Sequence, residues 1–144
     1  MARKLKVGFF GLEKWEIAYI RRMKTLRRFD AVFYEQELTE ENAALASKLD
    51  VAAVFIYSRL IGKTLAKCHK LGHVATMSTG FDHIDVGACV RRHISVSNVP
   101  LYGDNTVAEH TFALILALSR KIHKAYQRTL IGEFSLEGDR KSVV

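Results

Sequence analysis

The stretch VATMSTGFDHID, residues 74–85, decides how this chain is read. An apolar run, Val74-Ala75-Thr76-Met77, stops at Ser78-Thr79-Gly80 and gives way to a short segment bracketed by Asp82 and Asp85. A short apolar strand, small residues and then Asp85 as an N-cap predict a strand-to-helix turn. A glycine at such a junction also lets two or three consecutive N–H groups converge on a small anion. From these residues alone, an ordinary turn and an anion-holding turn both stand.

Working outward, five short apolar runs stand out: LKVGFFG (5–11), AVFYEQ (31–36), VAAVFIY (51–57), HVATM (73–77) and ISVSN (94–98). The second to fourth are rich in Val, Ile, Phe or Tyr without clean polar alternation, the look of strands buried on both faces. Helical stretches lie between them, at about 13–29, 39–49 with Thr39 as N-cap, 60–71 and 85–92. Alternating strand and helix predicts an α/β fold: a five-stranded, doubly wound parallel sheet of the flavodoxin-like layout. Ligands of such sheets sit beyond the carboxyl ends of the strands. Ser78-Thr79-Gly80 lies at that end of the fourth run. Tyr102, just past the fifth, adds a hydroxyl on the same rim, and Pro100 keeps Val99 extended before it.

A different pattern follows. TVAEHTFALILALSRKIHKAYQRTLIGEF predicts a helix of about 20 residues, spanning roughly 105–126. Its apolar positions from Val107 to Leu118 run nearly all the way round, so it should be buried on most sides. A small sheet cannot cover it. The expected cover is a second domain or another subunit.

Composition narrows the function classes. Hydrophobic residues make up 49% and charged residues 26% of the 144, an ordinary globular balance. No apolar run approaches the roughly 18 residues of a membrane span. The brief apolar run after MARKLK is cut by glycines and does not read as a signal peptide. Cys68 and Cys89 have no paired CxxC spacing and read as two reduced thiols, so a cytoplasmic setting is expected. Much of the net charge of +7 sits in RRMKTLRR, residues 21–28. Trp15, Ala18, Tyr19, Met23 and Leu26 recur there at helical spacing, which puts the arginines on a solvated face rather than a nucleic-acid patch. The six histidines are scattered without metal-ligand spacing. Glu109 and His110, adjacent on a helix, project about 100° apart and do not make a dyad. Gly8 and Gly11 give G-x-x-G rather than G-x-G-x-x-G, with Glu13 where a phosphate needs positive field. A flavin-phosphate loop after the first strand and an acidic receiver site are also absent: the chain has Gly11-Leu12 and Tyr57-Ser58-Arg59 at those places.

Taken together, STGFDHID, SNVPLYGDNTVAEHTFALILALSRKIHKAYQR and GEFSLEG resemble the D-isomer-specific 2-hydroxyacid dehydrogenases, most closely their fermentative D-lactate branch. The likeness is dense from about Val51 to Gly138 and looser before it. It implies a substrate domain over 1–101, and over 102–144 an inter-domain helix and arm that begin an NAD-binding Rossmann domain. It implies that Ser78, Thr79, Gly80 and Tyr102 bind a small 2-hydroxy or 2-oxo acid, that Thr79 and Val107 lie near the NAD nicotinamide, and that the enzyme is a homodimer. No nucleic acid, membrane or metal is implied.

The departures are as informative. After FSLEG the chain reads DRKSVV, where the family continues into its cofactor glycines. The family's substrate arginine, acid/base histidine and carboxylate partner have no matching positions, so no catalytic residue is assigned. The 144 residues are expected to be catalytically incomplete alone. A stand-alone module that binds a small carboxylate or docks a protein partner without catalysis is the other reading.

Overall fold

The computed structural model describes residues 3–135, which form two compact units, one ending at Pro100 and the other beginning at Leu101. In the first, β1 (Lys6–Phe10), β2 (Asp30–Tyr34), β3 (Val51–Val54), β4 (His73–Thr76) and β5 (Ser95–Ser97) form one sheet. All neighbours are parallel, in the order β2-β1-β3-β4-β5. That is the flavodoxin-like order, and it bears out the expected layout.

Alternation along the strands sorts the two faces. Phe10, Ala52, Val54 and Val74 point to one side, where they pack with Leu38, Leu49, Leu65, Cys68 and Cys89 in a fully buried core. The helices α2 (Gly62–Lys67) and α3 (Val86–Arg91) cover that side. α1 (Lys14–Arg21) lies on the other, where the Arg21 guanidinium sits 5.2 Å over the Phe33 ring, itself stacked on Phe9. Burial raises the thiol pKa of both Cys68 and Cys89. Both are free.

Gly8 explains the first glycine of the tempting G-x-x-G. A Cβ there would lie 2.3 Å from Leu49 Cδ1 and 3.0 Å from the Phe10 ring, both in the packed core. It is a packing glycine, not a phosphate glycine. Gly8→Ala should therefore destabilise by about 1–3 kcal/mol through overpacking. A urea midpoint equal to wild type would contradict this.

Three expected helices differ from their sequence reading. Residues 13–29 break into α1 and a 3-10 turn, Lys24–Arg28. α1 starts at a capping box in which Glu13 and Glu16 exchange side-chain-to-backbone bonds. Its buried-facing stripe is also not the expected one. Trp15 and Tyr19 are 66% and 62% exposed, while Ile17 and Ile20 are half-buried and Leu12, just before the helix, is buried.

Residues 39–49 form only a 3-10 turn, Ala43–Ala46. Asn42 Oδ1 accepts from the Thr39 amide at 2.8 Å and Asn42 Nδ2 donates to the Glu37 carbonyl at 2.7 Å, so a local side-chain loop displaces the helix. Thr39 is consequently not an N-cap; its hydroxyl donates to Glu41.

The single long helix is two, α4 (Asp104–Ser119) and α5 (Ile122–Leu130). Lys121, at φ +52°, ends α4 in the left-handed conformation. α4 buries none of its side chains, leaving Val107, Phe112, Leu114 and Leu116 more than half exposed. Much of the tail lies outside the described residues. Among the described residues no helix is long and apolar enough to cross a membrane.

Candidate functional site

β4 ends at Thr76, and the chain bends through Ser78, Thr79 and Gly80 at the carboxyl edge of the sheet. A peptide unit is planar and trans, so fixing its carbonyl fixes the N–H on its other side. The structure fixes three in a row. Val99 N donates to the Ser78 carbonyl at 3.0 Å, which sets the Thr79 N–H. Asn98 Nδ2 donates to the Thr79 carbonyl at 2.8 Å, which sets the Gly80 N–H. Ser78 Oγ donates to the Gly80 carbonyl at 2.7 Å, which sets the Phe81 N–H. Thr79 Oγ1 further ties the bend to the Val99 carbonyl at 2.9 Å. Among the described residues, no acceptor takes the amides of Thr79, Gly80 or Phe81.

Gly80 is not in the left-handed region, so the backbone does not require glycine there. A Cβ on Gly80 would find nothing nearer than Asp82 Oδ2 at 3.9 Å. The missing side chain leaves open space at Gly80, with the Asp82 carboxylate at its edge. Asp85 is the N-cap of α3, as expected, accepting from the Ala88 amide at 2.8 Å.

Beneath the bend, Thr76 and Ser78 are buried, their hydroxyls 2.7 Å apart, and His83 Nε2 lies 3.0 Å from Thr76 Oγ1. Burial lowers the His83 pKa, and the nearby Asp82 carboxylate opposes this in part. The unfolded chain takes up this proton near the ordinary value, about 6.5; the folded chain does so only at lower pH. Stability should therefore be lost as the pH falls from about 6.5 toward the folded value, because the unfolded state binds more protons there. Urea midpoints at about pH 7.5 and 5.5 should fall more for wild type than for His83→Gln; equal falls would contradict this.

Beside the bend, a cavity of about 240 Å³ opens at the carboxyl ends of β1, β3 and β4. Leu12, Glu13, Trp15, Phe55, Tyr57 and Met77 line it, with Phe55 and Tyr57 edge to face at 6.0 Å. Glu13 accepts from Trp15 Nε1 at 2.9 Å. The β1–α1 turn does not fit a dinucleotide pyrophosphate. Its helix N-terminus is occupied by the Glu13–Glu16 capping box, and Leu49 fills the space beside Gly8.

Of the sequence-assigned positions, Ser78, Thr79 and Gly80 come together in the bend. Tyr102 and Val107 belong to the second unit, Tyr102 just before α4 and Val107 in its first turns, both largely exposed. Sequence reasoning missed Thr76, Phe81, His83, Asn98 and the aromatic cavity. One signal was available. Phe55 and Asn98 follow directly on β3 and β5, and Tyr57 lies two residues beyond Phe55, at the sheet edge where ligands bind. Among the described residues, no group of three His, Cys, Asp or Glu could hold a metal.

Residues 12–135 match the family model described as "D-isomer specific 2-hydroxyacid dehydrogenase, catalytic domain". A 2-hydroxyacid dehydrogenase homolog of Haemophilus influenzae is 35% identical over 136 residues, 93% of this chain and 41% of that protein. The D-lactate dehydrogenase of Escherichia coli is 31% identical with the same coverage. Among solved structures, the D-lactate dehydrogenase of Aquifex aeolicus complexed with NAD and lactic acid superposes with a TM-score of 0.82 at 28% identity. That match covers 94% of this chain and 40% of that one. The chain thus spans about two fifths of the length of the relatives it matches. With its flavodoxin-like sheet and the bend at the end of β4, the chain belongs to the D-isomer-specific 2-hydroxyacid dehydrogenase family.

Proposed function

We propose that this chain is the substrate-recognising part of an NAD-dependent D-2-hydroxyacid dehydrogenase acting on a D-lactate- or pyruvate-like acid. The observation that supports it is the run of three aimed, protein-unpaired amides at Thr79, Gly80 and Phe81. They hold the carboxylate, while Ser78 and Asn98 hold the amides. Hydrogen bonds to a charged group contribute about 1.5–3 kcal/mol each. Much of that is offset by the cost of immobilising the acid, so a dissociation constant on the order of 1 mM is expected.

The cavity beside Met77 receives the rest of the acid, with Phe55 and Tyr57 as its apolar wall. Tyr102 adds a hydroxyl contact, and Thr79 and Val107 lie toward the nicotinamide. NAD supplies or accepts the hydride in such an enzyme. Residues 1–101 then form the substrate domain, and 102–144 lead into the cofactor domain. That domain, or a second copy in a cytoplasmic homodimer, covers the apolar girth of α4. The relative holding NAD and lactic acid supports this reading.

Calorimetry with pyruvate and with acetone, which lacks the carboxylate, tests the reading. Pyruvate should bind and acetone should not; equal binding, or none by pyruvate, overturns it. The 144-residue chain given NADH and pyruvate should show no turnover, because no position in it matches the histidine that serves the family as acid/base. Sustained NADH oxidation by it would contradict that.

A further inference from the structure

We propose that His83 is the positioning residue of the carboxylate-binding bend, acting on it through Thr76 and Ser78. The inference rests on the bend being the substrate site. It follows from counting protons along one chain of hydrogen bonds. The Gly80 carbonyl can only accept, so the single hydroxyl proton of Ser78 is committed to it. The 2.7 Å contact between Ser78 Oγ and Thr76 Oγ1 must then be donated by Thr76. Thr76 has spent its own proton, so its 3.0 Å contact with His83 is donated by the imidazole Nε2–H. Every bond runs the same way, from His83 Nε2–H to Thr76 to Ser78 to the Gly80 carbonyl.

Two of the four members are almost fully buried, with Thr76 2% and Ser78 3% exposed, so water does not readily replace a missing link. The far end sets the Gly80–Phe81 peptide plane and hence the aim of the Phe81 amide. Backbone bonds hold His83 in turn. Its carbonyl accepts from Leu60 N at 3.0 Å, and Asp85 N donates to the Leu60 carbonyl at 2.9 Å, which pins the segment to the loop after β3. His83 touches no acid; it works through another residue's carbonyl.

The Nε2–H form is the first expected result, read from the imidazole ¹⁵N shifts of the ligand-free chain. An Nδ1–H tautomer overturns the proposal outright. The second is affinity for pyruvate. His83→Phe removes the donor and should bind about tenfold more weakly, with a shifted Phe81 amide resonance and the Thr79 resonance little changed. His83→Gln, whose amide nitrogen can reach Thr76, should restore most of the binding. In a Thr76→Val background, where the relay is already cut, His83→Phe should have no further effect. Equal binding by wild type and His83→Phe, or an additive effect in the double variant, overturns the role of His83 while leaving the site reading intact. No binding by wild type overturns the site reading itself, and the proposal with it.

Discussion

Gly80→Val is expected to abolish pyruvate binding while leaving the chain folded. Most glycine substitutions at turns confound two effects, because the new side chain strains the backbone as well as filling space. Gly80 separates them. Its φ lies outside the left-handed region, and a Cβ would meet nothing closer than 3.9 Å. The stability change should therefore stay within about 0.5 kcal/mol, as for an unconstrained surface site. On the proposed reading, the valine side chain competes with the carboxylate for the open space at the bend. A carboxylate kept even 1 Å further out loses most of a charge-assisted bond. Binding should drop below detection by calorimetry. Unchanged affinity would mean the acid binds elsewhere; a large loss of stability would mean the glycine serves the fold.

The largest effect on stability should come from Phe10→Ala. Phe10 is fully buried at the end of β1, its ring stacked on Tyr34 with centroids 4.6 Å apart and touching the space beside Gly8. It joins the sheet to Leu38 and Leu49 in one core. Truncating a buried phenylalanine costs about 3–5 kcal/mol, from lost transfer energy and the cavity left behind. A domain of this size has only about 5–15 kcal/mol in total. The variant should lose its cooperative thermal transition or show it far below wild type. A melting curve within a few degrees of wild type would contradict the packing described for β1.

How much of this was legible beforehand depended on which physical signal each residue carries. The strands were legible because Val, Ile and Phe runs bounded by glycine or small residues have few other uses, and their alternation with helices predicts a parallel, doubly wound sheet. Ser78, Thr79 and Gly80 were legible as a turn with an anion-binding option, since small residues after a strand suit both. What decides between those options is bonding from far along the chain, by Val99 and Asn98, and no local pattern encodes it.

Three misreadings have equally specific causes. Periodicity places Trp15 and Tyr19 inward, but Ile17 and Ile20 compete for the same role, and the aromatics instead sit on the rim or in solvent. Residues 39–49 have helix-forming composition, yet the Asn42 side chain closes a tighter local loop. The break at Lys121 carries no glycine or proline to announce it. His83 was one of six scattered histidines; only the buried hydroxyls beneath it give it a direction.

The most direct measurement is an amide-resolved NMR titration of the ¹⁵N-labelled chain with pyruvate. Saturable shifts should centre on the N–H groups of Thr79, Gly80 and Phe81, with smaller ones at Tyr57 and Met77. Shifts that bypass those three amides, or none up to concentrations well above the millimolar range, would contradict a carboxylate site built from this bend.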